Sequence, residues 1–246
     1  MHKIIPFQTI DSTNSYLKEN FKSLEEGDVC FSLHQTGGRG RLGRKWQDEG
    51  KDLLFSVLFK ENINEKTALA LPLIMGAVMQ KTLKSLGVSS SIKWPNDIMI
   101  GDRKASGILV EGVSSDHIEA LIAGMGLNLN EEIFPDDISH KATSLYIETK
   151  KQWDPQEVLE VFLNIFDTYY RDYLEGGEAY LECIKENFYL KGKKCYLNYH
   201  NENLSGIVMG IDQEGALLLD DGAIIHHLKA GEVTLESSYQ NRKLVD

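Results

Sequence analysis

Apolar positions divide the chain into segments of different period. Tyr16, Leu17, Phe21 and Leu24 recur at helical spacing behind the cap oxygens of Asp11, Ser12 and Thr13, which predicts a helix over 13–24 with Gly27 beyond its end. Residues 29–33 and 53–59 are short continuous apolar runs and read as buried strands. Between them, residues 35–51 are rich in glycine and charge and have almost no apolar period, so a long loop is expected. Helical spacing returns over 66–86, with Leu69, Leu73, Ile74, Ala77, Val78 and Leu86 on one face and Pro72 in the first turn or at a kink. Residues 91–94, 98–100, 104–111 and 117–126 form a meander of strands, with Gly101-Asp102 as a tight turn. Asp154-Pro155-Gln156-Glu157 is a helix start. Its apolar positions, Tyr169 and Tyr173 among them, continue as helix core to Gly176-Gly177, and a further helix covers 179–188. Five short strands follow (194–199, 204–211, 216–219, 223–228, 232–235), separated by Asn, Asp and Gly turns. The expected architecture is α+β, with a domain over 1–190 and a small C-terminal β-barrel module over 191–246.

Composition narrows the function. Of 246 residues 42% are apolar, enough for a real core, and 26 basic against 37 acidic side chains leave a net charge of −11. That balance argues against a general binder of nucleic acid or anionic membrane, which needs a basic surface. No apolar run spans a bilayer, and the first residues lack a signal-peptide pattern. Cys30, Cys183 and Cys195 are odd in number and scattered, and read as reduced thiols of a cytoplasmic protein.

The average hides one local exception. Residues 37–46, Gly-Gly-Arg-Gly-Arg-Leu-Gly-Arg-Lys-Trp, carry four cations and no acid, which leaves −15 on the other 236 residues. The run spells GxGxxG, but the polar sequence after Gly43 opens no apolar-faced helix, so a dinucleotide fold is rejected. Arg44 and Lys45 stand where a phosphate loop needs Lys and Ser or Thr, so that reading fails too. What remains is a glycine-rich backbone bearing guanidinium groups, suited to gathering two anions. Further on, Lys93-Trp94-Pro95-Asn96-Asp97 sets a cation, an aromatic, an amide and a carboxylate beside a proline. If 98–100 and 104–111 form a hairpin, Asp97 and Lys104 share one sheet face, and Gly107 leaves room for a ligand.

Five pieces in this order closely resemble the biotin protein ligase family. They are Asp11-Ser12-Thr13-Asn14, Gln35 with Gly38–Trp46, Lys93–Asp97, Arg103–Glu111, and Gly124-Met125-Gly126-Leu127-Asn128-Leu129-Asn130; Gly210–Leu217 is similar to the SH3-like module that ends bacterial members. The resemblance implies a catalytic fold like that of class II aminoacyl-tRNA synthetases, a mixed sheet flanked by helices. It implies ATP with Mg2+ and biotin as substrates, and biotinyl-5′-AMP as intermediate. The acceptor it implies is a lysine of the biotin carboxyl carrier protein or domain of an acyl-CoA carboxylase. By the same resemblance Ser12, Thr13 and Asn14 meet biotin, Gln35 lines its ureido end, and Gly38, Arg39, Gly40 and Arg41 close over it. Arg44 and Trp46 belong to the nucleotide side. Lys104 contacts carboxylate and α-phosphate, Asp97 orients the incoming lysine, Gly107 and Gly124 wall the pocket, and Asn128 lies near the triphosphate. No residue is assigned as a metal ligand. Gly37 and Met125 depart from the commoner family residues. Some members also repress transcription through an N-terminal helix-turn-helix; the motifs here begin at Asp11, so a ligase without repressor role is expected, and homodimers occur in the family.

Lipoate ligase is the nearest competitor, and the arginine-rich loop with Lys93–Asp97 speaks for the biotin branch. A non-catalytic regulator of nucleic acid fits the acidic balance poorly. His226-His227 reads as surface or core rather than as a metal site.

Overall fold

The computed structural model describes residues 2–199, 202–229 and 231–235. The N-terminal part is a seven-stranded sheet of β1 (Ile4–Ile10), β2 (Val29–Gln35), β3 (Leu53–Phe59), β4 (Ser91–Lys93), β5 (Asp97–Ile100), β6 (Arg103–Ser114) and β7 (Ile118–Leu127), in the order β1-β2-β3-β7-β6-β5-β4. Only the β1–β2 ladder is parallel. β3 is buried along its whole length because helices cover both faces of the sheet, which is why its sequence is an unbroken apolar run. Its alternate residues serve different layers. Phe55, Val57 and Phe59 join the main core, whereas Leu58 packs in a second cluster with Leu17 of α1 (Thr13–Asn20) and with Ala120 and Ile122 of β7.

On the other face lie α2 (Glu65–Ser85) and α5 (Pro155–Leu174), with α6 (Ala179–Glu186) packed against both helices; the short α3 (Asp136–Ser139) and α4 (Leu145–Thr149) lie between β7 and α5. Asn64 caps α2 by accepting Thr67 N–H at 3.0 Å. Pro72 is the eighth residue of a continuous helix rather than part of its first turn. Asp154 caps α5 and Pro155 opens it. Phe162, Phe166 and Tyr170 then stack along the helix, with Phe162 edge-on to Phe55 at 4.9 Å. The first helix stops at Asn20 and continues only as a 3-10 turn over Phe21–Ser23.

The C-terminal module is an antiparallel sheet of β8 (Lys194–Tyr199), β9 (Glu202–Ile211), β10 (Leu217–Asp220), β11 (Ile225–Leu228) and β12 (Glu232–Leu235), in the order β11-β10-β9-β8-β12. Among the described residues no ladder joins β11 to β12, so the expected barrel is an open five-stranded sheet consistent with an SH3-like fold. Residues 236–246 of the expected module lie outside the described residues. The module shares the main core, and Trp94 Nε1 donates to Gly215 O at 3.0 Å across the junction. The three cysteines are free and buried, and His226 and His227 bond Asp221 and Asp212 at 2.6 and 2.8 Å.

Gly215 has φ +80°, and a Cβ there would overlap Leu73 Cδ1 on α2; Gly222 has φ +92° with nothing within 4 Å. Gly215→Ala is expected to lower unfolding stability by about 2 kcal/mol or more, and Gly222→Ala by about 1 kcal/mol, the backbone part alone. Urea titrations of the two variants separate strain from collision at the junction.

Candidate active site

The pocket opens on the α1 face of the sheet, where period-two alternation presents Leu54 and Ser56 from β3 and Gly124 and Gly126 from β7. α1 begins there. Ser12 caps the helix, and Thr13 and Asn14 are buried in its first turn. Ser56 Oγ, fully buried, donates to Asn14 Oδ1 at 2.6 Å and lies 2.7 Å from Thr13 Oγ1. Asn14 Nδ2 donates to Glu111 Oε2 at 2.7 Å, and Gln35 Oε1 accepts Thr13 N–H at 2.7 Å. Burial alone would raise the Glu111 carboxyl, but hydrogen bonds from Asn14 and Lys18 and the charges of Lys18 and Arg39 outweigh it and hold it below the usual range. The Asn14 amide is thus locked by its neighbours, and a Cβ on Gly124 would overlap it.

The glycine-arginine segment lies in a long loop, as expected, but its arms are tied into a hairpin by an isolated antiparallel bridge. Trp46 N–H donates to Gly38 O at 3.0 Å, Gly40 N–H to Arg44 O at 2.7 Å, and Arg39 bridges Lys45 in antiparallel register. The tip turns at Leu42 (φ 56°) and Gly43 (φ 73°). Leu42 holds this left-handed conformation while 75% exposed, at a cost of about 1 kcal/mol. Two arginines reach opposite walls. Arg39 donates to Ser15 Oγ at 2.9 Å and lies 3.9 Å from Glu111, whereas Arg41 donates to Asn96 Oδ1 and to Gly231 O of the C-terminal module, both at 3.1 Å.

The β5–β6 hairpin carries Asp97 and Lys104 on its two arms, and a register shift at Ile98/Met99 brings them together. Lys104 Nζ stands 2.6 Å from Asp97 Oδ1 and 5.8 Å from the Trp46 ring centroid. A Cβ on Gly107 would meet Lys104 Nζ at 2.9 Å and Trp46 Cζ3 at 3.1 Å, and one on Gly126 would meet Trp46 Cε2 at 2.7 Å. The room these glycines leave is therefore filled by the site's own side chains. The Trp46 indole N–H in turn meets Asp52, whose carboxyl is fully buried.

One cavity thus gathers Ser12, Thr13, Asn14 and Gln35 at one end, with Arg39, Gly40, Arg41 and Trp46 over it and Lys104, Gly107 and Gly124 beneath. Asp97 joins it through Lys104. Asp97 and three further positions stand apart from its lining. Gly38 is buried in the hairpin neck, Arg44 is exposed on the outer arm, and Asn128 is buried with Nδ2 donating to Thr143 O at 2.9 Å. Asn96, Ile108, Leu109, Met125 and Gly126, in the same sequence motifs, do line it; Leu54 reads from sequence only as core. Among the described residues no three His, Cys, Asp or Glu side chains are grouped to hold a metal ion. No described helix is long and apolar enough to cross a membrane.

Residues 6–128 match the model of the biotin/lipoate A/B protein ligase family, and residues 192–235 match the biotin protein ligase C terminal domain. The chain belongs to the biotin/lipoate A/B protein ligase family. Among these ligases it is 33% identical over 242 residues to the bifunctional ligase/repressor BirA of Salmonella typhimurium, covering 93% of this chain and 73% of that protein. The biotin--[acetyl-CoA-carboxylase] ligase of Paracoccus denitrificans is 26% identical over 91% of this chain and 96% of its own. The fold is similar to that of the biotin protein ligase from Aquifex aeolicus in complex with biotin and ATP, with a TM-score of 0.86, 31% identity, and coverage of 95% of this chain and 98% of that one.

Burial, and secondarily the Glu131 charge, pushes the Asp52 carboxyl well above the usual range, and burial also raises Glu131. Above the ordinary carboxylate range the folded ligase therefore holds protons that the unfolded chain has released, and these groups contribute less stability as pH rises. Urea titrations between about pH 5 and pH 8 are expected to show the wild type losing its advantage over Asp52→Asn toward the upper end.

Proposed function

We propose that the protein is a biotin–protein ligase that activates biotin with Mg·ATP and passes the biotinyl group to a lysine of a biotin carboxyl carrier domain of an acyl-CoA carboxylase. The observation that carries this reading is the convergence of Lys104, Arg39 and Arg41 on a cavity walled by Ser12, Thr13, Asn14 and Gln35. A neutral bicyclic ureido group suits the hydroxyl and amide end, and two anions suit the cationic end. In the first step a biotin carboxylate oxygen bonds the α-phosphorus and pyrophosphate leaves, giving biotinyl-5′-AMP. Lys104 lowers the repulsion between the two anions, and its site beneath the hairpin keeps it there before they meet. In the second step the carrier ε-amine attacks the anhydride carbonyl, AMP leaves, and Asp97 orients the incoming amine beside Lys104.

The hairpin of Gly38, Arg39, Gly40 and Arg41 shields the anhydride from water. Arg44, Trp46 and Asn128 serve the nucleotide side, Asn128 by holding the chain behind β7 through its bond to Thr143 O. Residues 1–190 form the catalytic unit and 191–246 the appended module. The free, buried cysteines support a cytoplasmic location, where ATP is at hand.

Lys104→Ala is expected to lower biotin-dependent pyrophosphate release by several orders of magnitude, because among the described residues lining the cavity Lys104 is the one lysine; adenylate formation near the wild-type rate would remove Lys104 from the chemistry. Release driven by lipoate and not by biotin would move the protein to the lipoate branch. Arg41→Gly cuts the bonds to Asn96 and Gly231, and biotinyl-5′-AMP is expected to leave about tenfold faster or more, followed by chase of the labelled adenylate.

A further inference from the structure

A fully buried carboxyl with no cation beside it is costly unless donors occupy its oxygens. Among the described residues Asp52 is such a group. It directly precedes β3, its Oδ1 accepts Leu129 N–H at 3.2 Å, and its Oδ2 accepts the Trp46 indole N–H at 3.3 Å. Its charged neighbours Glu131 and Asp48 bear the same sign and raise its carboxyl further. What this carboxyl joins explains its presence. Leu129 follows β7, the strand that carries Gly124 and Gly126, and Trp46 closes the neck of the arginine hairpin through Gly38. The indole N–H is the one polar handle on the ring. Its bond to Asp52 fixes which edge of the ring faces the strand while the ring lies on Gly126 and against Gly107.

We propose that Asp52 is a positioning residue of the adenylation site, which holds the Trp46 ring on the glycine floor beside Lys104. The bond stands on geometry; its consequence for the adenylate rests on the ligase reading. Loss of the bond lets the ring turn about its side-chain torsions, and the wall that confines the adenylate loosens without loss of the ring.

The experiment records the three indole N–H resonances of the full chain, those of Trp46, Trp94 and Trp153, with Trp46→Phe identifying the first. Asp52→Asn, which offers one acceptor where two are needed, is expected to displace the Trp46 resonance and leave the other two in place. Binding of synthetic biotinyl-5′-AMP is measured alongside, with dissociation about five- to tenfold faster in Asp52→Asn, the effect of one hydrogen bond. Trp46→Phe keeps a ring without the N–H and is expected to show a similar acceleration, and the double variant no more than the larger single effect. A purely structural role would instead let the two effects multiply. A Trp46 resonance unmoved by Asp52→Asn, or effects that multiply, overturns the proposal. Should Asp52→Asn fail to fold, hydrogen exchange of the wild-type indoles decides: a protected Trp46 N–H supports the bond, and one exchanging like free indole overturns it. A wild type that binds no biotinyl-5′-AMP would refute the ligase reading, and the resonances would still decide the bond.

Discussion

Three missing Cβ atoms on one face of the central sheet set the geometry of everything above it. Gly107, Gly124 and Gly126 fall on the paired strands β6 and β7, and each leaves a volume that another residue fills. Asn14 descends onto Gly124, Lys104 and Trp46 onto Gly107, and Trp46 onto Gly126. Ladder hydrogen bonds fix the strands, so the side chains resting on them inherit that precision, which a site built on loops alone would lack. The polar network around Ser56 then settles which way Asn14 points, and with it the end of the pocket lined by Thr13 and Gln35.

Charge is handled in the same local manner. The chain is strongly acidic, yet its pocket is cationic, because the cations stand on the hairpin and on β6 and each is held by a specific acceptor. Lys104 has Asp97, Arg39 has Ser15 and Glu111, and Arg41 has Asn96 and a backbone carbonyl. These partners offset the mutual repulsion of the cations before any anion arrives. The arginines rest mainly on neutral acceptors, whereas Lys104 is paired with a carboxylate.

Legibility in the sequence followed the physics of each element. β3 could be read because burial on both faces leaves an unbroken apolar run, and α5 because Asp154 and Pro155 announce its start. β1 could not. It is an edge strand with alternating exposure, and Pro6 inside it argues against a strand unless the missing N–H faces away from a partner. The hairpin over 38–46 was hidden because its bonds are between backbone groups and carry no apolar signature. At the site, residue types in motifs identified the chemistry, whereas Ser56 and Asp52 looked like members of a strand and its lead-in. Their roles depend on what the fold places opposite them, Thr13 and Asn14 for the one and Trp46 for the other. Spacing along the chain carries no trace of such partners.

The junction between the two sheets has a consequence for how such a protein can be recombined. Trp94 of the Lys93–Asp97 motif holds a carbonyl of the C-terminal module, and Arg41 of the hairpin holds another. The module is thus wired to both motifs that frame the cavity, through main-chain atoms that no side-chain exchange can replace. A module transplanted from a relative would serve only if its turns presented carbonyls at positions 215 and 231 in the same register. The two parts are therefore mechanically coupled, and a backbone shift in either disturbs a bond to the other.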